Sequence, residues 1–182
     1  MLSSTRSTRE RAALLALCTS GLRRAELLAL NWRDVDLQAR RLRIHGKGDK
    51  QREALIFPDL LPVLYALHAE ARFPEKGTVF CGRLGKPLQR STLQAWLNTW
   101  LERAGLRDPH AGEMRNRFSL HSLRRFAAKS WLNSGLNIRH VQGLLGHENV
   151  QTTMLYLNYD IGEIEKAAEA VDFRLTLAPL PR

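Results

Sequence analysis

His121 and Arg124 stand three residues apart in the segment His121-Ser122-Leu123-Arg124, and Arg125 follows directly. On a helix, at about 100° per residue, this spacing places an imidazole and two guanidiniums on one face together with Ala128. Leu123, Phe126, Ala127 and Ser134 then form the core side. A guanidinium donates two parallel hydrogen bonds to a phosphate, and a neighbouring imidazole can move a proton. A charged helix face is more often simply solvated, so this one gains meaning only from its company. Arg23 and Arg24 follow Gly21 near a helix start, with Glu26 three residues after Arg23, where its carboxylate can orient that guanidinium. Lys47 stands between Gly46 and Gly48, His147 follows Leu144-Leu145-Gly146, and Tyr156 lies in a short helical stretch beyond it. A tyrosine hydroxyl has a pKa of about 10 and becomes a useful nucleophile at neutral pH only beside cations. Arginines and a lysine would supply them. Singly, each of these residues has an ordinary structural explanation: a surface arginine, a turn lysine, a helix-terminal histidine, a half-buried tyrosine.

The whole chain narrows the chemistry. Among 182 residues, 28 Lys and Arg against 18 Asp and Glu leave a net charge of +10, a field that favours a polyanionic partner. No long basic amphipathic helix accompanies the charge, which puts nucleic acid ahead of a membrane surface. Cys18 and Cys81 belong to no CxxC pair, which argues against a disulfide scaffold or zinc site and fits a reducing cytoplasm. No acidic cluster suits a two-metal nuclease, and no GxxxxGK[ST] loop is present to cradle a nucleotide. The apolar run Ala12 to Cys18 is too short to span a bilayer and reads as a buried helix.

These side chains need a frame, and the pattern supplies a mainly α one with a small antiparallel β-sheet. Thr5 or Ser7 caps a first helix that stops near Gly21, and a second helical stretch starts around Leu22. Leu42 and Ile44 alternate with Arg41, Arg43 and His45 as a strand. Gly46-Lys47-Gly48-Asp49 is a turn, and Arg52 to Phe57 returns, making a hairpin with a lysine at its tip. Helices are expected over Leu60 to Ala71, Thr92 to Ala104 with Ser91 as cap, Leu120–Asn133, Ile138–Leu145, Val150–Leu157 and Ile161–Val171. Gly82 to Pro87 and Arg107 to Arg117 read as loops. One domain over residues 1–182 is expected, with a motif-bearing core at about 10–172 and an extended tail at 173–182.

Four segments together resemble the tyrosine recombinase (phage integrase) family, nearest its Xer-like branch. Gly21-Leu22-Arg23-Arg24-Ala25-Glu26-Leu27 resembles the first arginine box, and Gly46-Lys47-Gly48-Asp49-Lys50 the hairpin lysine. His121-Ser122-Leu123-Arg124 is similar to the His-x-x-Arg box. Leu144-Leu145-Gly146-His147 with Thr152-Thr153-Met154-Leu155-Tyr156 resembles the terminal segment, including its nine-residue step from His147 to Tyr156.

The resemblance implies the catalytic-domain fold of that family and a reaction in which Tyr156 attacks a DNA phosphate to form a 3′-phosphotyrosine. It makes Arg23 and Arg124 phosphate ligands, Lys47 the acid for the leaving 5′-oxygen, His121 an acid/base and His147 a further phosphate donor. Neither metal nor nucleotide cofactor is implied. Lys50, Arg52 and Arg125 extend the DNA-binding face. The implied partners are double-stranded DNA and other protomers, as a tetramer on two DNA sites, in a cytoplasmic, nucleoid-associated protein. The stripe at positions 161, 164, 168 and 171 would form a helix passed to a neighbour, the alternative being one folded back on its own domain. Family members usually carry a separate helical DNA-clamping domain ahead of the catalytic one; nothing in this chain corresponds to it, so a piece of a longer protein is expected, with a minimal variant as the alternative. Two rivals are a type IB topoisomerase and a DNA-binding regulator that does not cut.

Overall fold

Helix α1 (Thr8–Thr19) is the hub of the fold, and its sequence explains why. The Ser7 hydroxyl accepts the Glu10 N–H at 3.2 Å and caps the helix, one of the two caps expected. Ala12, Ala13, Leu14, Leu15, Ala16 and Leu17 are all buried. Alanines interspersed among the leucines keep this helix slim, so both α3 (Leu61–Ala69) and α5 (Leu120–Asn133) pack against it. The computed structural model describes residues 5–46, 51–71, 77–82, 85–106 and 118–146. The expected helices Val150–Leu157 and Ile161–Val171, the loop Arg107 to Arg117, the hairpin tip and the tail lie outside those residues.

After α1 come α2 (Arg24–Ala29), a 3-10 turn (Trp32–Asp34) and strands β1 (Val35–Asp36), β2 (Arg41–His45) and β3 (Gln51–Leu55). The sheet is antiparallel in the order β1-β2-β3, with Leu42 opposite Ala54 and Ile44 opposite Arg52. Leu42, Ile44 and Ala54 face the core, while Arg41, Arg43 and His45 face out, the alternation read from the sequence. The expected hairpin is therefore two strands of three. Strand β1, at two residues, is too short to show a period-2 pattern.

Helices α4 (Arg90–Arg103) and α6 (Ile138–Leu145) complete the described elements. Helix α4 starts earlier than expected, with Gln89 rather than Ser91 at its N-cap and no side-chain cap hydrogen bond. Leu88 is buried and its N–H reaches the Phe80 carbonyl at 3.0 Å, so the chain is already anchored when it enters the helix. Ser119 and Ser122 cap α5 reciprocally, and Asn137 caps α6 by accepting the His140 N–H at 2.9 Å. Where α5 crosses α6, Ala127, Ala128, Trp131, Val141 and Leu145 make a second apolar cluster. The Trp131 ring stacks on Phe57 at 5.8 Å, and its indole N–H reaches the Thr19 carbonyl at 3.0 Å.

The faces of α5 differ from the wheel drawn on its charges. Leu120, Leu123, Arg124, Ala127, Ala128 and Trp131 are buried, so Arg124 and Ala128 belong to the inward face. Phe126, expected in the core, is 59% exposed, and Ser134 is exposed as well. A charged side chain marks solvent only when no polar partner waits inside. Here two carbonyls do. No helix among the described residues is long and apolar enough to cross a membrane.

Candidate active site

Helix α6 ends in a left-handed turn at Gly146 (φ +63°), which leaves its last carbonyls without intrahelical partners. Three arginines from three elements take them in succession. Arg52 of β3 donates through Nη1 to the Leu144 carbonyl. Arg124 of α5 donates through Nη2 to the Leu145 carbonyl. Arg23, at the start of α2, donates through Nη2 to the Gly146 carbonyl at 3.3 Å. Cations at the negative end of a helix are also favoured by its dipole. Residue 146 must be glycine: its φ is left-handed, and a Cβ there would collide with Cδ of the Arg52 stem.

Three clustered guanidiniums need a counter-charge, and Glu26 provides it from inside. Its Oε1 accepts from Arg23 Nη1 at 2.7 Å, while Oε2 accepts from Arg52 Nη2 and from the Arg23 N–H, each at 2.7 Å. Arg124 Nη1 lies 3.8 Å from the same Oε2. Burial is the largest single influence on this carboxyl and would raise its pKa. The Arg52 charge and hydrogen bond, with the donors from Arg23, outweigh it and hold the pKa below the ordinary value. Glu26 is an anion locked among cations.

The three arginines are not equivalent. The Arg124 side chain is 1% exposed, and its other fork nitrogen donates to the Gly21 carbonyl. Gly21 itself has φ +60°, and a Cβ there would meet the Trp131 ring at 2.8 Å, so this carbonyl is held by steric necessity. The Arg52 side chain is 13% exposed and spans β3, α2 and α6. Arg23 is 44% exposed and opens onto solvent.

Beside Arg23 lies a cavity of about 390 Å³, lined by Arg23, Arg24, Arg90, Gln94, His121 and Arg124 among others. His121 stands at its rim. Desolvation by neighbouring atoms, then the charges of Arg124, Arg125 and Arg23, lower its pKa, although much of the ring is exposed. The ring is therefore neutral at pH 7 and can accept a proton. Among the described residues no cluster of His, Cys, Asp or Glu forms a metal-ligand set.

The structure brings three of the residues singled out in the sequence, Arg23, His121 and Arg124, to one cavity. Arg125 lies elsewhere, lining a groove with Phe126 and Lys129 on the outer side of α5. Arg52 is not on an open DNA-facing surface, because it points inward with Ala54. Lys47, Lys50, His147 and Tyr156 lie outside the described residues. Arg90 and Gln94 were missed. Nothing local to α4 signals that its first turns approach α2 and α5.

Four arginines, Arg23, Arg24, Arg90 and Arg124, and the His121 imidazole line one basic cavity on a mainly helical domain with a short antiparallel sheet. The chain belongs to the phage integrase family, whose match covers residues 1–162. It is 32% identical over 163 residues to tyrosine recombinase XerC of Xanthomonas axonopodis pv. citri, covering 89% of this chain and 50% of that protein. To XerC of Vibrio campbellii it is 30% identical, covering 88% and 50%. The chain thus spans about half the length of the curated relatives it matches. Its fold is similar to that of XerA recombinase, with a TM-score of 0.75 at 23% identity over 92% of this chain and 60% of the other. XerH site-specific recombinase, solved bound to a palindromic difH substrate as a post-cleavage complex, gives a TM-score of 0.73 at 27% identity over 93% and 50%.

Proposed function

We propose that this chain is the catalytic domain of a site-specific DNA recombinase that breaks and rejoins strands through a 3′-phosphotyrosine. The observation that carries the reading is the convergence of Arg23, Arg124 and His121 on one cavity, braced by Glu26. The chain's continuation, past the α6 end that the arginines hold, contains His147 and Tyr156. The recombinase names of the relatives and the DNA-bound XerH support it.

In this reading the Tyr156 hydroxyl attacks phosphorus and gives its proton to a base, with His121 neutral and available. The bond from phosphorus to the 5′-oxygen breaks, and Lys47 protonates the departing oxygen. Arg23 and Arg124 neutralise the charge that grows on the non-bridging oxygens, and His147 adds a donor. Rejoining runs the same steps backward with another strand's 5′-hydroxyl. One phosphodiester-type bond replaces another of similar energy, so no nucleotide cofactor enters.

Lys50 and Arg125 extend the DNA surface, whereas Arg52 acts as a brace between hairpin, α2 and α6. The partners are double-stranded DNA and further protomers, as a tetramer on two sites, and the location is cytoplasmic and nucleoid-associated. Residues 1–182 are taken as a single catalytic unit. The test is covalent trapping on a suicide duplex. Tyr156→Phe is expected to abolish the adduct and keep binding, while Tyr159→Phe keeps both. The reverse result overturns the assignment, and strand relaxation without exchange between sites would favour the topoisomerase reading.

A further inference from the structure

Asp34 closes the 3-10 turn ahead of β1 and is one of few charged residues buried among the described ones. Its Oδ1 accepts a hydrogen bond from His45 Nε2–H at 3.1 Å. Its Oδ2 is equally buried and has no hydrogen-bond partner among the described residues, with Arg33 Nε 3.8 Å away. Glu26 and Arg43 line the same small recess. A buried carboxylate oxygen with no protein donor among the described residues is costly, so a sheet that needed only stability would do better with an apolar residue here.

The position of His45 suggests what the pair is for. His45 is the last residue of β2, paired across the sheet with Gln51. Gly46 follows, and Lys47 is two residues past His45. Glycine has no side chain to guide the chain, so the His45 ring is the last side-chain anchor before the lysine. That ring is tied not to its own hairpin but to the turn beneath it.

We propose that Asp34 and His45 are a positioning pair, fixing the direction in which the chain leaves β2 so that Lys47 reaches the leaving 5′-oxygen. The proposal rests on the reading of Lys47 as the general acid. Neither residue touches the reacting atoms; both act through Lys47.

The experiment uses full-length protein and two duplexes that the parent cleaves, identical except that sulfur replaces the bridging 5′-oxygen in one. A thiolate leaves without a proton, so it bypasses the acid. Asp34→Asn and His45→Ala are each expected to slow cleavage of the oxygen duplex on the order of tenfold or more. On the sulfur duplex both should return close to the parent rate. His45→Gln, which keeps an N–H donor, should retain most of the oxygen-duplex activity. Equal slowing on both duplexes would make the pair a mere brace for the fold, and no slowing on either would leave it without a role; both overturn the proposal. His45→Ala guards against misfolding of the buried-site variant, since its ring is half-exposed. Lys47→Ala is run alongside. If it too is slowed equally on both duplexes, the general-acid reading falls and takes the pair with it. If Lys47→Ala recovers on sulfur and the pair variants do not, only the pair falls.

Discussion

Two regions of this domain hold together by opposite means. Around α1, the leucines and alanines at 12–17 meet α3 and α5 in an apolar cluster with few buried polar groups. At the junction of α2, β3, α5 and α6, the contacts are a carboxylate, three guanidiniums and the carbonyls of residues 21 and 144–146. The first region is cheap to build and indifferent to chemistry. The second costs desolvation and gives fixed charges in return, two of which, Arg23 and Arg124, line the cavity. Stability and function are therefore separable here, and substitutions can show it.

Glu26→Ala should have the largest effect. It leaves Arg52 and Arg124 buried without their counter-charge, a loss of about 3–5 kcal/mol, and adduct formation per folded molecule should fall as well. Chemical denaturation together with an adduct assay reads both. The same residue gives a pH signature. Its folded pKa lies below the ordinary 4.5, so its contribution is complete above that value and fades as pH drops through the lower, folded one. Glu26→Gln should flatten that acid-side fall in stability.

Leu17→Ala should cost a comparable or slightly smaller amount, about 2–5 kcal/mol, from the middle of the apolar region. Adduct formation per folded molecule should stay at the parent level in a mild buffer. A loss of chemistry at full folding would show that the two regions are coupled.

Gly146→Ala is expected to cost about 1–3 kcal/mol, from a left-handed backbone that resists a side chain. Its Cβ also displaces the Arg52 stem, so the damage should extend to adduct formation, unlike that of a core truncation of equal size. Arg90→Ala should be the mildest. Stability should change by less than about 0.5 kcal/mol, while the slope of log affinity against log salt for duplex DNA should fall by about 0.9. An unchanged slope would show that Arg90 makes no phosphate contact.

Much of the apolar region was legible in the sequence, because burial follows periodicity. The Ser7 cap, the alternation in β2, and the bounds of α5 and α6 all emerge from residue order. The ionic region was legible only in part. The i to i+3 spacing of Arg23 and Glu26 announced one of the four contacts that Glu26 makes among the described residues. Arg52 carried a readable signal, since it shares strand parity with the buried Ala54 and Ile56, but its charge by itself argues for exposure. The inward turn of Arg124 had no such signal. It depends on the Gly21 and Leu145 carbonyls, brought together by the crossing of α5 over α1 and α6. Phe126 erred in the other direction, since hydrophobicity alone does not say which way a helix faces.

The grip of three arginines on the consecutive carbonyls 144 to 146 has a consequence for how this family member can vary. Main-chain oxygens carry no side-chain identity, so Leu144, which is only partly buried, is open to replacement by other helix formers of its size. Chain length is another matter. One residue added or removed within the last turn of α6 would rotate each carbonyl by about 100° and offer every guanidinium the wrong neighbour. The junction is thus permissive to substitution and closed to insertion, a segment that counts residues rather than reading them.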